Sequence, residues 1–273
     1  MERRAIASPA QIIEQLKEKL RNLIYIDYIT LSGSGEPTLY SHTAELIARI
    51  KDSTDTPLAV LTNGSLLWEP QVRAGLAAAD LVIPSLDVGN GPLFHYVNRP
   101  CSGLTFETVL TGIRRFRQEF AGALWLEVFL LNGITATQAS VEEIAFHAGQ
   151  IAPDTVQLNT VTRPPCEKSA RAVPRERMLR FAQMFSCPAE VIVDYQGIHA
   201  KGGYAGSRND ILQLLQRRPC TLEDVSESLS IRPNEAVKHL QHMVDQNQVR
   251  TIQTEDRNFY QRIATCGKEK QQP

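Results

Sequence analysis

Residues 31–40 read LSGSGEPTLY, and the fold of the chain turns on that stretch. It closes an apolar run, DYITL at 27–31, with serine and glycine, then sets one carboxylate, Glu36, directly before a proline. An ordinary turn needs a single glycine and gains nothing from the acid. Pro37 restricts the residue before it to extended backbone, so Glu36 is held out of any helix. The stretch reads as the end of a buried strand followed by a loop shaped to receive something.

Outward from it, similar runs recur: PLAVL at 57–61, ADLVIPSL at 79–86, LWLEVFLL at 124–131, DTVQLN at 154–159 and a last short run, AEVIVDY, at 189–195. Such runs read as strands buried on both faces, the pattern of a parallel sheet. Amphipathic stretches separate them, among them HTAELIARIKD at 42–52, TFETVLTGIRRFRQEF at 105–120 and SVEEIAFHAGQI at 140–151. Alternation of this kind predicts an α/β fold with right-handed crossovers. The chain opens on a helix, with Ser8 at the N-cap and Pro9 at the first helical position, although a βα array ordinarily opens on a strand.

The strand ends carry the chemistry. The runs finish in Gly33, Gly35 and Glu36, in Asn63 of TNG, in Ser85 and Asp87 of SLD, in Asn132 of NG and in Asn159 of NT. A parallel βα sheet or barrel assembles its site along that edge.

Around residue 204 the pattern changes. RNDILQLLQRRP and RPNEAVKHLQHMVDQ read as helices, and Thr221 and Asp224 between them are spaced as a capping box. VRTIQT and NFYQRI alternate about a polar turn like a hairpin. Residues 204–264 are therefore expected to form a winged helix-turn-helix, following a βα unit at 1–203, with a disordered tail at 265–273.

Composition bounds the rest. The 273 residues are 42% apolar and 22% charged, with a net charge of −1, so no global field recruits nucleic acid. No apolar run reaches the roughly 18 residues that span a bilayer, and the N-terminus lacks a signal-peptide core; a cytoplasmic protein is expected. The five cysteines are scattered, the closest pair, Cys166 and Cys187, lying 21 positions apart. No C-x-x-C knuckle or redox pair is present.

SGSGEPTL, VLTNGSLL and ADLVIPSLD, in that order and spacing, resemble the radical S-adenosylmethionine (SAM) enzymes. More narrowly they resemble the branch of wyosine-base synthases and bacterial Fe–S oxidoreductase relatives, to which YVNRPCSGLTF, LWLEVFLLNGI and VQLNTVTRPP are also similar. The resemblance covers about residues 1–200. It implies a partial (βα) TIM-like barrel that holds a 4Fe–4S cluster. The reduced cluster, fed by an electron donor such as flavodoxin or ferredoxin, splits SAM to a 5′-deoxyadenosyl radical. An RNA base is among the substrates it suggests. It also implies SAM contacts from Gly33, Gly35, Glu36, Pro37, Asn63, Ser85, Asp87, Asn132 and Asn159. Glycine lets backbone approach the methionine ammonium, and Glu36 supplies an acceptor for the same cation. Arg99 and Arg163, each beside a proline, are candidates to grip an anionic substrate. The long segment VGNGPLFHYVNRPCSG has the length of a lid.

One departure stands out. The family's cluster is held by C-x-x-x-C-x-x-C after the first strand, and this sequence has no such motif. Both the missing strand and the missing cysteines are expected if the chain starts just downstream of its cluster loop. Two further readings stay open: a ligand-sensing winged-helix regulator, and a cluster-less remnant.

Overall fold

The computed structural model describes residues 3–5, 7–21, 26–33, 35–162, 167, 169–192, 208–229, 231, 233–254 and 257–263. Helix α1 (Pro9–Leu20) starts where the Ser8–Pro9 pair predicts, although the Ser8 hydroxyl makes no capping bond. From there strands and helices alternate: β1 (Ile29–Leu31), a single 3-10 turn at Pro37–Leu39, α2 (Thr43–Lys51), β2 (Leu58–Thr62), α3 (Pro70–Leu76) and β3 (Leu81–Pro84). Then come α4 (Gly91–Val97), α5 (Phe106–Glu119), β4 (Ala123–Leu130), α6 (Gln138–Ile151), β5 (Thr155–Thr160), α7 (Arg175–Ala182) and β6 (Ala189–Val191).

The six strands lie in chain order, each parallel to the next. A sheet wound in one direction is built like a (βα) barrel, whereas a doubly wound sheet reverses direction partway. The result is an open, partial barrel, with β1 at one edge and β6 at the other among the described strands.

Burial on both faces holds for β2 and β3 but not for the rest. In β4 and β5 buried and half-buried residues alternate strictly. Val60, Val82, Leu124, Leu126, Val128, Leu130, Val156 and Leu158 point to the helices and belong to the main core. The opposite, concave face carries a small patch of Ala59, Leu81 and Ile83, joined by Leu61, Ala123 and Trp125. Helices cover only the convex side of a curved parallel sheet, so an open barrel leaves its inner face to whatever fills it. Packing on the covered side is close. A Cβ added to Gly112 of α5 would meet Trp68 N at 2.5 Å and Leu67 C at 2.7 Å, so helix backbone rests directly on loop backbone.

The expected lid segment contains a helix of its own. Asn90 caps α4 by accepting from Leu93 N–H at 3.0 Å, and Pro92 sits in its first turn. Both features were present in the sequence, and a helix of seven residues is too short for periodicity to show.

Residues 208–263 form a second compact unit with a core of its own. It consists of α8 (Arg208–Arg217), α9 (Leu222–Ser228), α10 (Pro233–Asp245) and an antiparallel hairpin of β7 (Val249–Gln253) and β8 (Asn258–Arg262). The capping box is formed: Thr221 N–H donates to Asp224 Oδ2 at 2.9 Å and Asp224 N–H to Thr221 Oγ1 at 3.1 Å. Cys220 bridges antiparallel to Tyr260. The boundary expected at 203/204 and the tail at 265–273 lie outside the described residues. Among the described residues, no helix is long and apolar enough to cross a membrane.

Candidate functional site

The GEP turn is organised by its carboxylate. Glu36 Oε1 accepts from Thr38 N–H at 3.0 Å, from the Thr38 hydroxyl at 2.6 Å and from the Thr62 hydroxyl at 2.6 Å. Glu36 Oε2 accepts from Asn63 N–H at 2.7 Å. Glu36 thereby caps the 3-10 turn that Pro37 opens and ties the end of β1 to the end of β2. Each carboxylate oxygen has two lone pairs; three donors crowd Oε1 and one reaches Oε2, so Oε2 retains room for one further donor.

The glycines of the turn have no internal cause. A Cβ on Gly35 would meet nothing within 4 Å, and one on Gly33 only the backbone of Gly35, at 3.7 Å. Neither has positive φ. Gly64 and Gly133 of the two NG turns do, at 72° and 77°, so glycine there answers a backbone demand. At positions 33 and 35 a side chain would point into open space.

Thr62 links this corner to the next strand: its hydroxyl holds Glu36, and its carbonyl accepts from Ser85 N–H at 3.0 Å. Beyond it, the concave face turns polar along one register row. Ser85 pairs with Glu127, Glu127 with Gln157, and Gln157 with Glu190. Glu127 accepts from Asn159 Nδ2 at 3.2 Å and lies 3.5 Å from the Ser85 hydroxyl. Gln157 donates to Glu190 at 2.8 Å.

Asp87 is half-buried, two residues beyond Ser85 and past the end of β3. Its carboxylate accepts from Phe129 N–H and from the Asn98 amide, both at 3.0 Å. Burial pushes its pKa up to about 6; those two bonds oppose the rise, and the nearby Glu127 charge adds to it. Asn98 is the C-cap of α4, so Asp87 ties the segment over the site to β4.

The remaining candidates sit further out. Asn132 accepts from Arg177 at 2.9 Å. Arg99, with φ of 47°, donates to Glu167 at 2.9 Å, both exposed, so its charge is already countered. Arg163 lies outside the described residues. The structure thus brings Gly33, Gly35, Glu36, Pro37 and Asn63 together at one corner and Ser85, Asp87 and Asn159 around Glu127, and it leaves Asn132 and Arg99 with partners of their own.

Sequence reasoning passed over Thr62, Asn98 and Glu127. Glu127 had a legible signal, being a lone carboxylate inside the apolar run LWLEVFLL. Thr62 and Asn98 had none, since their roles depend on groups 26 and 11 positions away.

The donor chemistry suits a cationic organic ligand and does not suit iron. Cys101 is exposed, Cys187 half-buried and Cys220 buried in the second unit. Among the described residues, no three His, Cys, Asp or Glu converge on a point where a metal ion would sit.

A family model for the Radical SAM superfamily matches residues 2–146. The chain is 39% identical over 243 residues to a protein named GTPase Obg of Brachyspira hyodysenteriae, covering 88% of this chain and 36% of that protein. It is 31% identical over 251 residues to a UPF0026 protein of Helicobacter pylori, covering 91% of this chain and 80% of that one. The chain thus spans about a third of the first relative and most of the second. No G-x-x-x-x-G-K-S/T phosphate loop occurs in this sequence, and the GTPase name describes the longer protein. Among solved structures, Streptococcus suis SuiB bound to S-adenosylmethionine shares the fold. The match has a TM-score of 0.55 and 12% identity and covers 78% of this chain and 49% of that one.

Proposed function

Because this chain belongs to the radical SAM superfamily, we propose that its partial barrel binds SAM along the carboxyl-terminal edge and concave face of the sheet, as part of an enzyme of SAM-dependent radical chemistry. The family brings two cofactors, SAM and a 4Fe–4S cluster. The residues of this chain fit the first and not the second, since no C-x-x-x-C-x-x-C occurs in it; no step through the cluster follows from these residues. When bound, SAM supplies the 5′-deoxyadenosyl group that gives the family its reactivity.

The observation that carries this reading is the open cradle at Gly33 and Gly35 beside a clamped carboxylate. The two glycines leave open the space the proposed ligand takes. In this reading Gly33, Gly35, Glu36, Pro37 and Asn63 hold the methionine end, where Glu36 Oε2 has room for an ammonium donor. Ser85, Asp87 and Asn159, with Glu127 between them, offer acceptors to ribose hydroxyls, and Asn132 closes the rim. The substrate, an RNA base being one class that fits the resemblance, enters over the same edge. The second unit reads as a winged helix-turn-helix, with α8, α9 and α10 as its helices and the β7–β8 hairpin, joined by Cys220, as its wing.

Titration calorimetry of SAM into the full chain tests the reading. Gly35→Val is expected to weaken SAM at least tenfold while melting like the parent chain, because a Cβ there has no protein atom within 4 Å. No measurable SAM binding by the parent chain, or parent-like affinity in Gly35→Val, overturns it.

A further inference from the structure

Helix α7 and the residues just before it concentrate arginine. Arg49, Arg73, Arg99 and Arg117 each sit on a carboxylate. Arg171, Arg175, Arg177 and Arg180 have no such partner among the described residues, and Glu176 is the one acid between positions 169 and 188. In a chain of net charge −1, four guanidiniums within ten residues make a local positive field.

Two of these arginines line a cavity. A space of about 260 Å³ lies between α6 and α7, bounded by Gln138, Arg177, Arg180, Phe181 and Met184. Gln138 opens α6, and Arg177 lies in the first turn of α7. Gln138 and Arg177 lie at the amino-terminal ends of helices that follow β4 and β5, and Arg177 bonds the β4–α6 connection, so that end of the cavity lies at the carboxyl-terminal edge of the sheet, on its helix-covered side. Arg177 is fixed in place: it donates to Asn132 Oδ1 at 2.9 Å and to the Ala136 carbonyl, and it lies over the Phe181 ring at 5.5 Å. On α6, Glu142 accepts from the Gln138 amide and bonds neither arginine.

The donor inventory selects the ligand. Each guanidinium has five N–H groups. Arg177 uses two, so it keeps donors free at the cavity, where the exposed Arg180 adds a second guanidinium. A carboxylate offers about four lone-pair sites and one charge to two guanidiniums. A phosphate ester, with three terminal oxygens and up to two negative charges, matches a pair of them better. The volume is below the roughly 300–1,000 Å³ of pockets that enclose a whole ligand, so the cavity suits one group of a larger molecule.

We propose that the cavity between α6 and α7 is a subsite for a phosphate group of the substrate, held by Arg177 and Arg180 beside the SAM-binding edge. This rests on the preceding section only for which edge is the reactive one.

The test uses the full chain without SAM, with ribose 5-phosphate, neutral ribose and a short single-stranded RNA as probes. Ribose 5-phosphate is expected to bind and ribose not to. Arg180→Gln, an exposed change, should weaken the phosphate probe at least tenfold without altering melting or SAM affinity. Arg49→Gln, which removes an equal charge on α2, should leave binding unchanged. RNA binding that depends on Arg180 and exceeds that of ribose 5-phosphate assigns the phosphate to a polynucleotide; the reverse order assigns it to a small ester. Failure of both phosphate probes to bind, equal binding of ribose, or equal losses in Arg180→Gln and Arg49→Gln overturns the proposal. SAM binding is read separately, so loss of either site leaves the other standing.

Discussion

Glu36→Gln separates a residue that touches SAM from one that braces the loops around it. Glutamine keeps a single acceptor oxygen. With that oxygen left on Thr38 and Thr62, the new amide N–H₂ faces Asn63 N–H, and a 2.7 Å bond is replaced by two opposed donors. The reverse orientation sets the amide against Thr38 N–H instead, while the Thr38 and Thr62 hydroxyls can turn to accept from it, so one backbone N–H is opposed either way. Losing a hydrogen bond to a charged acceptor costs about 1.5–3 kcal/mol. Asn63 is exposed and water can satisfy part of its N–H, so the lower end, about 1.5 kcal/mol, applies here. For a unit of this size that is a fall of roughly 3–6 °C in melting temperature. Thr62 supplies the control. At 4% exposure it is buried away from a ligand, and Thr62→Val removes one of the four bonds together with the bond that Thr62 Oγ1 accepts from Gly64 N–H at 3.1 Å. A brace predicts that Thr62→Val also weakens SAM binding, and that the double mutant shows a coupling of about 0.5–1 kcal/mol in unfolding. Circular-dichroism melting and urea unfolding of the four proteins measure it. A Glu36→Gln chain that melts at the parent temperature refutes the brace; SAM affinity untouched in Thr62→Val but lost in Glu36→Gln shows a direct contact instead.

Gly112→Ala should destabilise by about 3 kcal/mol or more by urea unfolding, since its Cβ meets backbone that cannot step aside; a parent-like midpoint would mean that α5 does not rest on residues 67–68. Asp87 has a folded pKa above its unfolded value, so the stability it contributes is full below about pH 4 and is lost as pH rises through about 6. Asp87→Asn, with Asn98 flipping its amide, should therefore gain on the parent chain between those pH values, approaching about 3 kcal/mol at pH 7 as an upper figure; a difference independent of pH removes the burial argument. Anaerobic reconstitution of this chain should leave no stoichiometric iron and sulfide after desalting, because no three thiolates share a loop; retained cluster would show that the ligand argument is mistaken.

What the sequence determined alone is the periodic part of the molecule. Runs such as PLAVL and LWLEVFLL, separated by amphipathic stretches, leave a parallel α/β sheet as the consistent arrangement, because burial and the connections require it. GSGEP, TNG and SLD, each after an apolar run, marked the edge where the site assembles, and the scattered cysteines excluded a local cluster loop. The tertiary structure alone decided which partner each polar group takes. Nothing near position 36 announces that its carboxylate holds Thr62 and Asn63, and nothing near Asp87 announces Phe129 or Asn98. Those contacts join residues on different strands, and register, not local pattern, brings them together. The open inner face has the same origin. Whether a strand is covered once or twice depends on where the sheet ends and what lies against it, which a run of apolar residues does not record.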